Sequence, residues 1–258
     1  MAHHRRLAAL IIEPFVLGPG GIIPQPEGYL ERAVRAARKH GVLVIFDEVA
    51  VGMGRLGTLF AFEQLHAGRG ARRKARLKPD MVCLAKGLTA GLLPLSAVLV
   101  ADHVYQAFLG SCAPRQGCRG TRTFFHGHTF TGSALGCAAA LAAVEQIASR
   151  SFLRRLRTAT IPAFWRALEP LRAHPHVGSL RGRGLMAGIE LVKDEQRGEE
   201  YPWAERYGHR VVLAARARGV NTRAIGNLVL AVPPLTITRR ELALLGRVLY
   251  ASIEEATK

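Results

Sequence analysis

The first hundred residues alternate short apolar runs with stretches of helical spacing. Leu7 to Ile12, Val42 to Phe46, Met81 to Ala85 and Ser96 to Val100 are apolar runs of strand length. Tyr29 to His40 spaces its apolar residues as a helix does and stops at Gly41, a residue that accepts the left-handed backbone of a helix end. Strands that alternate with helices predict βαβ units and a mostly parallel sheet. Gly132 to Ser149 follows as a long helix dense in alanine.

Near residue 150 the pattern changes. Arg-rich helical sequence runs to about His174, and Leu180 to Leu191 reads as one glycine-punctuated strand. Trp203 to Arg218 is helical and stops at Gly219. Val220 to Ile225 and Leu228 to Val232 read as two strands joined at Gly226-Asn227, a good hairpin turn. Pro233-Pro234 breaks the chain, and Thr238 with Glu241 three residues on predicts a capping box at the start of a last helix. The expected fold class is α/β. Residues 1–150 form part of a larger domain with a mostly parallel sheet, and residues 151–258 form a small C-terminal α/β domain.

Composition narrows the function classes. Hydrophobic residues make up 49% of the 258, which supplies a core and argues against disorder. No apolar run reaches the length of a membrane span, and the start is too short in apolar residues for a secretory signal; a cytoplasmic location is expected. A formal net charge of +17 is the kind of balance that marks a nucleic-acid or membrane-surface partner. Here the basic residues are spread over helix faces, as at Arg32, Arg35, Arg38 and Lys39, with no recognition helix or base-stacking aromatics beside them. Neither nucleic acid nor membrane is expected as a partner, and the one dense cluster, Arg69 to Lys78, reads as a solvated loop.

The cysteines are Cys83, Cys112, Cys118 and Cys137, with no C-x-x-C pair to suggest zinc or redox chemistry. Cys83 in an apolar strand and Cys137 in the alanine-rich helix suit buried thiols. Cys112 and Cys118 share a Gly/Pro loop, where a disulfide is the alternative to the free thiols that a reducing cytoplasm favours.

Two runs carry the chemistry. V-L-V-I-F-D-E-V, Val42 to Val49, and M-V-C-L-A-K-G-L, Met81 to Leu88, each end an apolar strand in an ionisable residue. Ligands of open α/β sheets sit just beyond the carboxyl ends of parallel strands. Asp47 and Lys86 are therefore expected to face one crevice. A carboxylate that holds a ring nitrogen protonated and an amine that forms a Schiff base are what pyridoxal phosphate chemistry needs. The plainer alternatives are a strand-end cap for Asp47 and a solvent-reaching lysine for Lys86. Glu48 is expected to make structural contacts.

E-P-F-V-L-G-P-G-G-I from Glu13, F-D-E-V-A-V-G-M-G-R-L-G from Phe46 and K-P-D-M-V-C-L-A-K-G-L from Lys78 resemble, in the same order, the class III aminotransferases of fold type I. T-F-F-H-G-H-T-F-T-G-S from Thr123 and V-N-T-R-A-I-G-N-L from Val220 narrow the resemblance to the biotin-synthesis branch. The resemblance covers nearly the whole chain and implies part of the cofactor-binding large domain followed by the small domain. It implies transamination of 8-amino-7-oxononanoate to 7,8-diaminononanoate, with pyridoxal 5'-phosphate as cofactor and S-adenosylmethionine as amino donor. The alternatives are another class III enzyme acting on an ω-amino acid or amine, and an inert fragment that binds an aminotransferase subunit.

Residue by residue, the resemblance implies that Asp47 partners the pyridine nitrogen, that Val49 packs on the ring and that Lys86 is the Schiff-base lysine. His128 and Thr129 belong to a loop that binds the cofactor phosphate of the neighbouring subunit's site in a homodimer, and Gly127 borders the substrate. Arg223 takes the substrate carboxylate, for which a planar guanidinium is matched. A metal pair at His126 and His128 is disfavoured, because no carboxylate or third histidine lies nearby in sequence, and no metal is expected.

There are two departures from the family pattern. Asp47 and Lys86 stand 39 positions apart, more than the family usually shows, and the basic stretch Gly68 to Leu77 accounts for the excess as a surface loop. The family's N-terminal half, with its Gly/Ser phosphate-binding turn and its ring-stacking aromatic, has no counterpart before Leu7. The chain is expected to be the C-terminal part of an aminotransferase.

Overall fold

The computed structural model describes residues 3–66, 77–109, 111–113, 117–119, 124–194 and 198–258. The basic stretch lies outside the described residues apart from Leu77 and Lys78, as do Thr123 and the side chains of Cys112 and Cys118. The chain forms two compact units.

The first unit comprises Met1–Pro14, Glu27–Met53 and Phe62–Ile147. Its sheet has four strands in chain order: β1 (Ala9–Ile12), β2 (Leu43–Asp47), β3 (Met81–Leu84) and β4 (Ala97–Val100). β1, β2 and β3 run parallel, and β4 returns antiparallel on β3. Helix α1 (Tyr29–Lys39) makes the crossover from β1 to β2 and buries Leu30, Val34 and Ala37. Gly41 then takes φ +68°, the left-handed turn that lets the chain re-enter the sheet. Val44, Phe46, Val82 and Leu84 bury one side chain in two along their strands, as a sheet with one covered face requires.

One buried charge ties this unit together. Asp80, 2% exposed, stands just before β3. Its carboxylate accepts from Arg38 Nη1 at 2.9 and 2.7 Å and from Val44 N at 2.6 Å, and His103 Nε2 lies 2.9 Å away on helix α2 (Asp102–Leu109). Helix α3 (Ala134–Ile147) buries Gly136, Ala140, Ala143 and Ile147, a stripe at helical spacing. Cys137 lies off that stripe and is exposed, which corrects the expectation of a buried thiol there; Cys83 is partly covered.

The second unit comprises Phe15–Pro26, Gly54–Ala61 and Ala148–Lys258. The two early segments are drawn in by arginines. Arg181 Nε donates to Gly21 O, Arg157 Nη1 to Gly57 O, and Arg55 Nη1 to Leu185 O and Pro233 O. Helix α4 (Arg150–Arg155) runs through a π turn, Leu156–Thr160, into α5 (Ile161–Leu168).

The single strand expected over Leu180 to Leu191 is instead a hairpin of β5 (Val177–Arg183) and β6 (Met186–Asp194). Gly184 makes the turn at φ +60°, and a Cβ there would lie 2.5 Å from Arg55 O. β6 also pairs with the short β7 (Glu199–Glu200), and with the partner strand of β8 (Ala224–Ile225), namely β9 (Leu228–Ala231). Gly226, φ +58°, turns β8 into β9.

The helix expected over Trp203 to Arg218 is broken at Arg206, φ +55°, into a 3-10 turn and α6 (Tyr207–Ala217). The last helix, α7 (Arg239–Ala256), has its capping box: Glu241 N donates to Thr238 Oγ1, and Thr238 N to Glu241 Oε2 at 2.7 Å. The core is continuous from Leu156, Phe164 and Leu168 through Ile189 and Val211 to Leu249 and Ile253. Among the described residues no helix is long and apolar enough to cross a membrane.

Candidate active site

The carboxyl ends of β2 and β3 bring the two ionisable residues to one edge of the sheet. Because the strands are parallel and Asp47 pairs in register with Cys83, β2 ends opposite the end of β3, with Lys86 three residues past Cys83. Asp47 is half-buried, and its Oδ1 accepts from Val49 N at 3.0 Å. This local turn holds the carboxylate at the strand end and fixes the backbone of Val49 beside it. The Cys83 thiol is pushed up from its ordinary range by burial and then by the Asp47 charge, so it stays a neutral neighbour.

Lys86 opens a 3-10 turn, Lys86–Thr89, with a backbone φ of +43°. A left-handed lysine is uncommon and costs backbone energy. Next to it, a Cβ on Gly87 would lie 2.7 Å from Met53 Cβ, so the chain passes tightly over Met53. The Lys86 side chain is exposed and has no carboxylate within ion-pair distance among the described residues. Glu48, between Asp47 and Val49, is 1% exposed. Its Oε1 accepts from Phe62 N at 2.8 Å and its N donates to Cys83 O; it fixes the loop that follows β2.

Gly127, His128 and Thr129 lie on an exposed turn of the same unit. His128 N donates to Thr131 Oγ1 and Thr131 N to His128 O, both at 2.9 Å, while His128 Nδ1 accepts from Phe130 N at 3.2 Å. The His128 amide and ring are thus used within the turn, and the Thr129 hydroxyl makes no hydrogen bond among the described residues. Gly127 has Thr131 Oγ1 as its nearest neighbour, 3.6 Å from a built Cβ. No cluster of three metal-ligating side chains exists among the described residues.

Arg223 belongs to the second unit, just before β8, where its carbonyl accepts from Leu230 N. It lines a cavity of about 490 Å³ together with Trp203, Arg206, His209 and Arg216. The sequence reading singled out none of these four, although His209 and Arg216 share one face of α6 with Val212 and the spacing was legible.

The arrangement suits a flat aromatic cofactor with a ring nitrogen and a carbonyl. A carboxylate ends one strand and an amine without an ion-pair partner among the described residues follows the adjacent parallel strand; the Gly127–Thr129 turn of the same unit carries a hydroxyl of the kind that suits an oxyanion.

Comparison with known proteins bears on the chain as a whole. The family model for Aminotransferase class-III matches residues 1–252. The adenosylmethionine-8-amino-7-oxononanoate aminotransferase of Nitratidesulfovibrio vulgaris is 44% identical over 100% of this chain and 45% of its own length. The crystal structure of the enzyme of that name from Methanocaldococcus jannaschii superposes with a TM-score of 0.88 at 39% identity, over 98% of this chain and 55% of that one. An (S)-enantioselective omega-transaminase from Thermomicrobium roseum gives a TM-score of 0.86 at 32% identity, over 100% and 53%. The chain spans about half the length of the curated relatives it matches.

Proposed function

We propose, from the premise that this chain belongs to the class-III aminotransferase family, that it carries the lysine and the ring-nitrogen carboxylate of an aminotransferase acting on 8-amino-7-oxononanoate. The family is pyridoxal-phosphate-dependent, and the bound cofactor supplies an electron sink for the carbon that loses its proton. The observation that carries the reading is the Asp47–Cys83 register, which sets Asp47 and Lys86 at neighbouring strand ends.

Each residue has one task. Asp47 holds a proton on the ring nitrogen by its charge. The Lys86 amine would hold the cofactor at its carbonyl group, with loss of water, and when free its Nζ would serve as the base that moves the substrate proton. Val49 packs on the ring. The Thr129 hydroxyl takes the phosphate, with His128 shaping the turn that presents it. Gly127 leaves room for substrate, and the Arg223 fork takes the substrate carboxylate. The names of the relatives support 8-amino-7-oxononanoate as acceptor. S-adenosylmethionine is the proposed donor, the cytoplasm the proposed location, and residues 1–150 and 151–258 the proposed large-domain part and small domain.

A homodimer with shared sites is part of the proposal. Its support is the set of exposed apolar side chains of the first unit, among them Phe125 at 95% and Leu135 at 76% exposed. A second reading, an amine or ω-amino acid substrate, is favoured by the likeness to the omega-transaminase.

The test is reduction with borohydride after incubation with pyridoxal phosphate, followed by peptide mapping. The label is expected on Lys86 and is absent from the Lys86→Ala variant. A label on Lys39 or Lys78 instead overturns the assignment. Turnover of 8-amino-7-oxononanoate against that of simple amines, measured on a form carrying the rest of the family's length, separates the two substrate readings.

A further inference from the structure

The cavity around Arg223 holds more positive charge than a single substrate carboxylate requires. Arg206, His209, Arg216 and Arg223 all line its 490 Å³, and no carboxylate does. Three other arginines of the same unit have acidic partners: Arg172 pairs with Glu169, Arg181 with Glu190 and Arg218 with Glu255. Among the described residues none of the four cavity groups has such a partner.

The concavity is built by the fold. The start of α6 is pressed onto the β8–β9 turn, where a Cβ on Gly208 would collide with Gly226 O. That contact sets the face of α6 that carries His209, Val212 and Arg216 against Thr222, Arg223 and Ala224. Thr222 is held by its hydroxyl, which donates to Leu230 O. At the rim, the Trp203 ring rests on Gly226, a position at which any side chain would strike the indole. The ring is nevertheless 74% exposed. Three guanidinium groups facing one space repel each other unless an anion sits between them. A planar fork favours phosphate or carboxylate oxygens, and an open indole is a stacking surface for a flat ring or a cation. The surrounding charge excludes the cation.

We infer that this cavity is a binding site for an aromatic polyanion, a ligand with two or more negative charges joined to a flat ring, as in a nucleoside diphosphate. The charges sit among Arg206, Arg216 and Arg223, and the ring stacks on Trp203. The site stands on the cavity alone and not on the transamination reading, with which it shares only Arg223.

The experiment uses the 258-residue chain. Calorimetric titration with ADP, and separately with inorganic pyrophosphate, is run at 0.15 M salt, on the order of physiological screening. The expected result is one saturable ADP site per chain, with pyrophosphate weaker by about tenfold for want of the ring. Arg206→Ala and Arg216→Ala are each expected to weaken ADP by about tenfold, the loss of one charge-assisted hydrogen bond. Arg218→Ala removes the same charge from outside the cavity and is expected to leave ADP binding unchanged. In a Trp165→Phe variant, Trp203 is the remaining tryptophan, and its fluorescence is expected to quench on ADP addition. Absence of saturable ADP binding overturns the site, as does an equal loss in Arg218→Ala. Pyrophosphate binding as tight as ADP, with no quench, overturns the ring's part in it. Neither outcome bears on Lys86, whose labelling tests the other reading.

Discussion

Asp47 and Cys83 are paired across two parallel strands, and the Asp47 carboxylate helps to raise the Cys83 thiol above its ordinary range. The pairing reports the Asp47 charge without any cofactor. In Asp47→Asn the coulombic part of that rise is lost while the burial part remains. Cys83 is therefore expected to alkylate a few-fold faster near pH 8 in the variant, as more of it becomes thiolate. The rate is read by peptide mapping, which separates Cys83 from the exposed Cys137. An identical rate in both proteins means that the two side chains do not share one end of the sheet.

Asp80 is the polar hub of the first unit. Asp80→Ala leaves the Val44 amide and Arg38 Nη1 without their acceptor, while Arg38 Nη2 keeps the Lys78 carbonyl. Arg38 is about one-third exposed and recovers part of its loss from water. The expected cost is about 2–3 kcal/mol, read as a lower urea midpoint at unchanged slope. A loss well under 1 kcal/mol, the level of an ordinary surface pair, means that the hub does not hold α1 to the sheet.

Gly184 and Gly219 both have positive φ, +60° and +81°, but only Gly184 is crowded. Gly219→Ala meets nothing within 4 Å and is expected to cost about 1–2 kcal/mol, the backbone penalty alone. Gly184→Ala adds a clash with Arg55 O and Leu56 Cα, for about 3–5 kcal/mol in total. Equal costs in thermal or urea unfolding mean that the β5–β6 turn does not pack on Arg55.

Glu190 has a carboxyl held below its ordinary range chiefly by the hydrogen bond from Arg181, with burial opposing and Ser179 assisting. A lowered folded value stabilises above the ordinary carboxylate range, and the contribution is lost as pH falls through the folded value. Glu190→Gln is therefore expected to flatten the acid limb of stability against pH, below about pH 4.5, with little change in shape above it. An acid limb of unaltered slope removes Glu190 from the linkage. The side chain is 43% exposed, so solvent screening keeps the effect small.

Local chemistry was legible in the order of residues. Asp47 and Lys86 stood out as candidates because each closes a short apolar run, and both runs are strands in the structure. Gly41 and Gly219 ended their helices, Gly226-Asn227 turned its hairpin, and Thr238 with Glu241 capped the last helix. Each of these signals acts over three or four residues, because turn and cap hydrogen bonds reach no further.

The tertiary structure decided what depends on partners distant in sequence. Leu180 to Leu191 reads as one strand by its apolar pattern; it folds back at Gly184, where Arg55 O leaves no room for a side chain. Residues 15–26 and 54–61 join the C-terminal unit because Arg181, Arg55 and Arg157 reach across more than 99 positions, as the 100-residue separation of Arg157 from Gly57 shows. Asp80 gathers its hydrogen bonds from Arg38 and Val44, 42 and 36 positions earlier. Arg206, His209, Arg216 and Arg223 face one cavity only because α6 is pressed onto the β8–β9 turn at Gly208. A repeating pattern encodes which side of a strand or helix is apolar; which polar groups meet is set by how those apolar sides pack, and that packing is a property of the whole chain.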